Sequence, residues 1–393
     1  MDIRLIWLAV GTFAIGVESF AISSLLPQIA DSTGVTLTQA GYLVMAFALA
    51  NAFGAPVLAA LTGTVDRRRI LAAAAVVFSV GALWAALSHG YFDLMAARVL
   101  MAFAAGLYTP TAQATGVAIV SSDHRARAIS VIMGGTTMAV AFGAPIGAVL
   151  GGLAGWRGAY FMVAGFGVIA ALALWFLLPA GLRGAPLSLR QRLAAVALPG
   201  VAPALLTTLL YMTGGFMVII YIAVVTTQAV GLSAGLVPAV MLAFGIGAAI
   251  GNLAGGQLGD RLGTRRTIVG SLILGASLLF AISEIPALPA ALIGPAFFAV
   301  IFLWGIVGWG FVPPQASHLL SLSPANAPLV LSLNASVLYL GVAGGSYVGG
   351  LVLQYGSVRD LGWVGALFPL AALVLMAVRS QLASARPAMS RLG

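Results

Sequence analysis

The sequence predicts an all-α integral membrane protein in which twelve transmembrane helices form two pseudo-symmetric six-helix bundles. Three observations predict it: a very apolar composition, twelve apolar runs of membrane-spanning length, and arginines that alternate between two faces. Of the 393 residues, 61% are hydrophobic and 7% are charged, whereas soluble domains have about 25% charged residues. Most of the surface must therefore face lipid rather than water.

The composition also limits the chemistry. All 18 basic residues are arginines, and the lack of lysine removes Walker-type nucleotide binding and lysine Schiff-base chemistry. With no cysteine and three scattered histidines, neither a disulfide nor a metal-ligand pattern is predicted. We expect no cofactor. We also expect no nucleic-acid partner, because arginine-rich loops beside an anionic membrane surface explain the net charge of +9.

The membrane-spanning segments follow from length. A helix needs about 20 apolar residues to cross a hydrocarbon core of roughly 30 Å. Twelve runs between charged and turn residues have this length: 5–30, 39–61, 70–88, 93–119, 128–153, 159–179, 201–226, 236–258, 267–284, 291–314, 329–353 and 362–379. The first contains Glu18 and continues to Pro27 without a clear cleavage site, so we expect it to remain as a membrane anchor.

The arginines predict the orientation. Fifteen of them fall in loops on one face of the twelve-span arrangement, two (Arg157 and Arg359) fall on the other, and Arg98 lies within a span. Basic loops stay in the cytoplasm. We therefore expect a bacterial-type inner (plasma) membrane protein with both termini in the cytoplasm.

The chain divides into two similar halves. We predict an N-terminal bundle over 1–180, a basic, proline-containing cytoplasmic linker over 181–200, a C-terminal bundle over 201–379 and a cytoplasmic tail over 380–393. Between its second and third span each half has an acidic–basic cluster, VDRRR at 65–69 and GDRLGTRR at 259–266. Such a repeat of six-span units indicates a transporter with its substrate site near the membrane midplane, between the halves.

At these clusters the sequence resembles the major facilitator superfamily. GGQLGDRLGTRR at 255–266 is similar to the superfamily's loop signature, whereas TGTVDRRRIL at 62–71 has Thr62 and Arg69 where glycines are expected. This weakened first copy is similar to the sugar-efflux (arabinose efflux permease-like) branch of the drug:proton antiporters. Further matching segments are LPQIA at 26–30, GAPIG at 143–147, GWRGAYF at 155–161 and SLNASVLYLGVAGGSYVGG at 332–350. The resemblance implies the major facilitator fold.

The fifth span bears on the direction of transport. Exporters of this superfamily have a glycine-rich fifth span with an adjacent Gly-Pro, whereas this chain has Gly143 and Pro145 separated by an alanine, followed by Gly147. Small residues allow close helix contacts, and a proline removes one helix hydrogen bond and permits a bend. The resemblance favours export, and ordinary glycine-mediated packing is the alternative.

Two ionisable residues within spans are candidates for proton coupling, because a charge in hydrocarbon costs about 2.5–3.5 kcal/mol on insertion scales. Glu18 lies near the middle of the first span, and we expect it to load and release a proton; a carboxyl that only holds helices together is the alternative. For Arg98 the resemblance implies a role in tuning Glu18 or polar groups of the cavity, and outward snorkelling is the alternative. Arg98 is only five residues from Asp93, a depth that argues against a fixed, direct pair with Glu18.

Other candidates lie at the cytoplasmic mouth and in the cavity. The resemblance implies that Asp66 and Arg67, and Asp260 with Arg261 and Arg265, form latches that break on opening to the cytoplasm; a topology signal is the alternative. Polar and aromatic residues within spans are candidates for the substrate cavity, and for each of them helix packing is the alternative. They are Asn51, Tyr108, Gln113, Tyr211, Tyr221, Trp304, Asn334 and Tyr339.

The sequence thus predicts a proton-coupled secondary transporter that exports small organic molecules (drugs, amphiphiles or sugars) by alternating access. We expect a monomer whose partners are the substrate, protons and the lipid bilayer. An importer or facilitator of the same fold, and a polytopic membrane protein that does not transport, are the alternatives. An enzyme is not expected, because the chain has no His-Glu-x-x-His or Gly-x-Ser-x-Gly motif.

Overall fold

The computed structural model describes residues 2–121, 124–183 and 189–389. Within these residues the chain forms helices and no strands, which confirms the predicted fold class. Residues 184–188 of the predicted linker and 390–393 of the predicted tail lie outside the described residues.

The long helices match the predicted spans, with ends that differ by a few residues. The first half contains α1 (Ile3–Thr33), α2 (Leu37–Thr62), α3 (Arg67–Leu87), α4 (Tyr91–Ala118), α5 (Arg125–Met138) and α6 (Ala144–Leu177). A short helix, α7 (Leu189–Val196), follows. The second half contains α8 (Val201–Ile220), α9 (Ile222–Val224), α10 (Val237–Leu262), α11 (Thr264–Glu284), α12 (Ala290–Gly310), α13 (Val312–Leu322), α14 (Ala327–Tyr355) and α15 (Asp360–Met389).

The number of membrane crossings depends on one long stretch. Eleven helical stretches among the described residues are long and apolar enough to span a membrane, and one of them, Arg127–Leu177, has 51 residues. At 1.5 Å per residue it would be about 75 Å long, more than twice the hydrocarbon thickness. Gly155 interrupts it with φ +71° and ψ 169°, a backbone conformation that favours glycine. The stretch therefore makes two crossings, which gives the predicted twelve.

Two spans contain π-helical turns that the sequence pattern did not predict. Ala139–Gly143 is π-helical and joins α5 to α6. It ends two residues before Pro145, which has no backbone N–H to continue a regular hydrogen-bond ladder. Val225–Ala229 is also π-helical and follows α9 in the seventh span. The predicted tenth span, 291–314, instead divides into α12 and α13 at Phe311, where Pro313 and Pro314 begin the second helix.

The helices pack mainly within their own half of the chain. In the first half α1 packs against α5 and α6, and α3 against α4 and α6; in the second, α10 packs against α12, and α8 against α14 and α15. The halves meet where α2 packs along α14 and where the first π-helical turn and α6 meet α10. One large apolar core runs through both halves.

Helices α2 and α14 are joined at the ends predicted to face outside by two hydrogen bonds, which involve Thr38, Gly41, Ser346 and Gly350. The Thr38 hydroxyl donates to the Gly350 carbonyl at 2.9 Å, and the Ser346 hydroxyl to the Gly41 carbonyl at 2.6 Å. The two halves are therefore closed against each other at that end.

Candidate functional site

Glu18 lies at the middle of α1 and is only 3% exposed. Small residues bring the neighbouring helix close on both sides of it. A Cβ added to Gly143 would overlap Val17, and one added to Gly147 would overlap Ala21. Gly143 and Gly147 therefore fix the α1 backbone around Glu18, and Pro145 lies between them at the start of α6.

Arg98 of α4 points its guanidinium at Glu18, and the expectation that the two do not pair directly is wrong. Arg98 Nη1 lies 2.5 Å from Glu18 Oε1, and both side chains are almost completely buried. Counting residues along α4 gives the depth of the Arg98 Cα atom but not that of its guanidinium. The long side chain extends toward the middle of the bundle instead of snorkelling outward. A buried guanidinium and carboxylate that pair avoid most of the penalty of two isolated charges in hydrocarbon.

Three further contacts hold the Arg98 guanidinium. Its Nε donates to the Leu43 carbonyl of α2 at 3.1 Å, and its Nη1 also donates to the Tyr160 hydroxyl of α6 at 2.7 Å. The Phe47 ring lies 5.2 Å from the guanidinium carbon, within the range of a cation–π interaction. Helices α1, α2 and α6 thus all contribute to one binding site for the arginine side chain.

Tyr160 is the residue of this network that was not identified as functional from the sequence. It is 3% exposed, and its ring meets Trp156 edge-on with the ring centroids 5.9 Å apart. Trp156 Nε1 donates to the Ser32 hydroxyl of α1 at 2.8 Å. The only sequence signal was the position of Tyr160 in the GWRGAYF segment, one turn after Gly155.

The second carboxylate oxygen of Glu18 is unpartnered. Oε2 is buried and accepts no hydrogen bond from the described residues. Tyr339 of α14, in the other half, lies near enough to interact electrostatically with Glu18. Two residues along α1, the Phe20 ring contacts the rings of Phe216 and Trp309, also from the other half, with centroids 6.2 and 6.0 Å away. Glu18 therefore lies near the boundary between the halves.

In the first acidic–basic cluster, Asp66 binds backbone amides and forms no ion pair within the described residues. Asp66 caps the start of α3 by accepting from the Arg68 amide at 2.9 Å, and it accepts from the Gly181 amide at 2.6 Å. Arg67 Nη1 donates to the Ala114 carbonyl of α4 at 2.7 Å. The Gly181 hydrogen bond is the main reason why the pKa of Asp66 is lowered, and the nearby charges of Arg69 and Arg68 lower it further.

The second cluster differs from the first. Asp260 is exposed near the end of α10, and within the described part of the chain its carboxylate takes part in no ion pair. Gly263 precedes α11, whose first turn receives no side-chain cap. Arg261 and Arg265 are exposed, and Arg265 lines a cavity of about 190 Å³ with Gln315 and His318. The structure therefore does not bring the residues of this predicted latch together.

Most of the cavity candidates bond to a neighbouring helix. The hydroxyls of Tyr108, Tyr211 and Tyr221 donate to the carbonyls of Leu8, Val307 and Ser346 at 3.3, 3.2 and 3.0 Å. Asn334 accepts from the Thr208 hydroxyl at 3.0 Å, and Gln113 donates to the Met133 sulfur at 2.9 Å. These polar groups hold helices together in this conformation.

Three candidates form no such hydrogen bond with the described residues. Asn51 is buried on α2 beside Gly106 of α4. Trp304 is buried against Gly215, and its Nε1 has no acceptor among the described residues. Tyr339 is half-buried and is the cavity candidate that the structure associates with Glu18.

Comparisons with known proteins agree on one family. A family model described as Major Facilitator Superfamily matches residues 8–203 and 204–390. The chain is 31% identical over 367 residues to the uncharacterized MFS-type transporter YbcL of Bacillus subtilis, covering 93% of each chain. It is 30% identical over 398 residues to a chloramphenicol resistance protein of Streptomyces lividans, covering 99% of each chain.

A solved structure gives the same result for the fold. A bacterial homolog of the human lysosomal transporter Spinster, in an inward-facing and occupied conformation, superposes with a TM-score of 0.74. The identity is 18%, over 96% of each chain.

Proposed function

The chain belongs to the Major Facilitator Superfamily, and on that premise we propose that it is a proton-coupled exporter of small organic molecules. It is a secondary membrane transporter, and the proposal adds energy coupling, direction and substrate class. Export proceeds by alternating access between the two halves, which act as six-helix bundles. The proposal assigns the chain to the sugar-efflux branch of the drug:proton antiporters, as a monomer in a bacterial inner membrane with both termini in the cytoplasm.

The observation that carries the proposal is the buried Glu18–Arg98 pair near the boundary between the halves. Glu18 can exchange its ion pair for a proton, because Oε2 has no partner among the described residues and Arg98 keeps other acceptors when Glu18 becomes neutral. A carboxyl that is ionised in one state and protonated in another can couple proton flow to a change in how the halves pack. Most buried side-chain oxygens in folded proteins have a hydrogen-bond partner, so an unpartnered carboxylate oxygen points to a functional role.

Export and substrate class rest on separate support. The fifth span has the Gly143–Pro145–Gly147 segment and a π-helical turn, which matches a span that can bend. The Streptomyces lividans relative is named for resistance to chloramphenicol, a small organic molecule. We therefore include chloramphenicol among the substrates to be tested.

Transport into inverted membrane vesicles tests the function. The vesicle lumen corresponds to the outside of the cell, so an exporter driven by proton entry should accumulate substrate in the lumen when the lumen is made acidic. The panel contains chloramphenicol, cationic amphiphiles and sugars, each with and without the pH gradient. Vesicles without the protein are the control.

The outcomes separate the proposal from its alternatives. Accumulation that needs the acidic lumen supports proton-coupled export. Accumulation in right-side-out vesicles alone identifies an importer, and equilibration that ignores the pH gradient identifies a facilitator. Failure of the whole panel in both orientations, with correctly inserted protein, contradicts the proposed substrate class.

A further inference from the structure

Tyr160 occupies a position that proton coupling at Glu18 alone does not explain. Its hydroxyl accepts a hydrogen bond from Arg98 Nη1, the same nitrogen that pairs with Glu18. Within the described residues, Tyr160 is the only side chain besides Glu18 that accepts a hydrogen bond from Arg98. The two acceptors therefore share one nitrogen of the guanidinium.

We infer that Tyr160 is a positioning residue that holds Arg98 in place while Glu18 is protonated, and that it thereby sets the pH at which Glu18 takes up its proton. The inference rests on the proposed function and specifies how the same site is regulated. Tyr160 touches neither the proton nor the substrate in this account; it acts through Arg98.

Protonation of Glu18 changes the partners of the Arg98 guanidinium. With Glu18 ionised, Arg98 has a carboxylate partner at 2.5 Å. With Glu18 neutral, the guanidinium loses that counter-charge and has only uncharged partners, of which the Tyr160 oxygen, the Leu43 carbonyl and the Phe47 ring are already in place. A buried guanidinium without a counter-charge is costly, so the Tyr160 hydroxyl stabilises the protonated state more than the ionised state.

The fold fixes Tyr160 in this position. Gly155 sets the start of the sixth crossing, and Tyr160 follows it by little more than one turn. The ring rests edge-on against Trp156, whose N–H is bound to Ser32 of α1. Tyr160 is therefore held by α1, the helix that carries Glu18, and does not depend on the ion pair for its orientation.

The surroundings contain few other groups that could set the pH response. Among the described residues, the titratable or charged groups near enough to interact electrostatically with Glu18 are Arg98 of α4, Tyr160 of α6 and Tyr339 of α14. Tyr339 belongs to the other half, so its influence depends on how the halves are packed. Tyr160 belongs to the same half as Glu18 and keeps its place when the halves move as rigid bodies.

Infrared difference spectroscopy against pH tests the inference without a known substrate. The purified full chain in lipid is titrated, and the protonated-carboxyl band that is missing in Glu18→Gln is assigned to Glu18. Tyr160→Phe keeps the ring and removes only the hydroxyl. We expect its band to reach half intensity at a pH lower by about half a unit or more, since one hydrogen bond near a charge is removed from the protonated state.

Tyr91→Phe is the matched control, because the Tyr91 hydroxyl donates to the Gln39 carbonyl at 2.7 Å, outside the network. Its midpoint should equal that of the wild type. A Tyr160→Phe midpoint equal to the wild type, or moved to higher pH, would overturn the inference. If Tyr160→Phe does not fold, Ser32→Ala is the second test, because it removes the hydrogen-bond acceptor of Trp156, against which Tyr160 packs. We expect a smaller shift of the Glu18 midpoint to lower pH. An unchanged midpoint refutes the positioning role.

The two proposals fail in different ways. If Glu18→Gln still accumulates substrate under a pH gradient, the proposed coupling is wrong whatever the infrared titration shows. If Glu18→Gln loses that coupling while Tyr160→Phe titrates like the wild type, only the role of Tyr160 is wrong.

Discussion

At the scale of single residues, Glu18 and Arg98 form an ion pair buried between helices. Such a pair contributes little net stability compared with apolar residues, but removing one partner leaves an uncompensated charge that costs about 3–5 kcal/mol. Here both side chains are almost fully buried and the guanidinium has three other contacts. The stability of the first half should therefore depend on the two residues together.

A double-mutant cycle tests this dependence. Glu18→Gln and Arg98→Gln should each lower the thermal unfolding temperature in detergent, because each leaves one buried charge without its partner. The double variant has neither charge, so its unfolding temperature should fall by clearly less than the sum of the decreases in the two single variants. Losses that simply add would show that the side chains do not interact in the folded protein.

The sequence identified both members of this pair but not their contact. Glu18 and Arg98 stand out because ionisable residues are rare in membrane spans. Their distance depends on the direction of a long side chain and on how α1 and α4 pack, neither of which follows from counting residues along one helix. Tyr160 was harder still, because a tyrosine in a span is as often a packing residue, and its hydrogen bond joins positions 62 residues apart.

At the scale of helices, α3 and α11 begin differently although they occupy corresponding places in the two halves. Asp66 caps α3 and also binds the Gly181 amide after α6. Gly263 precedes α11 without a side-chain cap. The two acidic–basic clusters, similar in sequence, therefore differ in structure, and Asp66 is the aspartate that connects neighbouring segments.

Asp66→Ala should reduce stability by about 1 kcal/mol, the usual loss on removing a helix cap. Because the folded pKa of Asp66 is lowered, its contribution is present above the unfolded value of about 3.9 and is lost as the pH falls through the lower folded value. Thermal unfolding of wild type and variant should thus converge in acid. Asp260→Ala is the control and should cost less; an equal loss at both aspartates would contradict the structural difference.

Helix positions were predictable from the sequence, and their irregularities were not. Runs of 20 apolar residues between charges locate a span within a few residues, since the bilayer imposes the length. Pro145 marked a possible bend. Whether the loss of its backbone N–H produces a kink or a π-helical turn depends on how α1 packs against this segment. The break at Phe311 was equally hard to predict, because Pro313 and Pro314 can begin a helix as well as end one.

At the scale of the whole molecule, the two halves are in close backbone contact at Gly245. A Cβ added to Gly245 of α10 would overlap the backbone of Val140 and Ala141 in the first π-helical turn. The α2–α14 hydrogen bonds close the end predicted to face outside, and the Gly245 contact joins the halves near mid-depth, close to where Gly143 packs on Val17 of α1. The state shown is therefore one in which access from that side is blocked.

Gly245→Ala should separate α10 from the first π-helical turn, weaken the packing of the halves in this closed state and raise the population open to the outside. The chain has no cysteine, so Ser346→Cys, buried at the closed end, can report it through labelling by a membrane-impermeant reagent. Labelling should be several-fold faster with Gly245→Ala than without it. Gly270→Ala, where a new Cβ meets no atom within 4 Å, is the control, and equal rates in all three proteins would contradict the closure.

The orientation of the chain can be tested in the same way. If both termini are cytoplasmic, Ser357→Cys in the loop before α15 should be labelled from outside intact cells, and Ser188→Cys in the linker should not. Labelling of the linker cysteine after permeabilisation is the control for reactivity. The reverse pattern would invert the assignment of cytoplasmic and external ends throughout the molecule.

The most direct test of the central claim is substrate accumulation by Glu18→Gln when a pH gradient is the only energy source. Glutamine keeps the shape and the hydrogen-bonding capacity of the side chain but cannot exchange a proton. Using a substrate from the panel, the variant should fail to accumulate it in inverted vesicles with an acidic lumen, while exchange of labelled for unlabelled substrate continues. Accumulation at the wild-type level would show that the proton does not travel through Glu18.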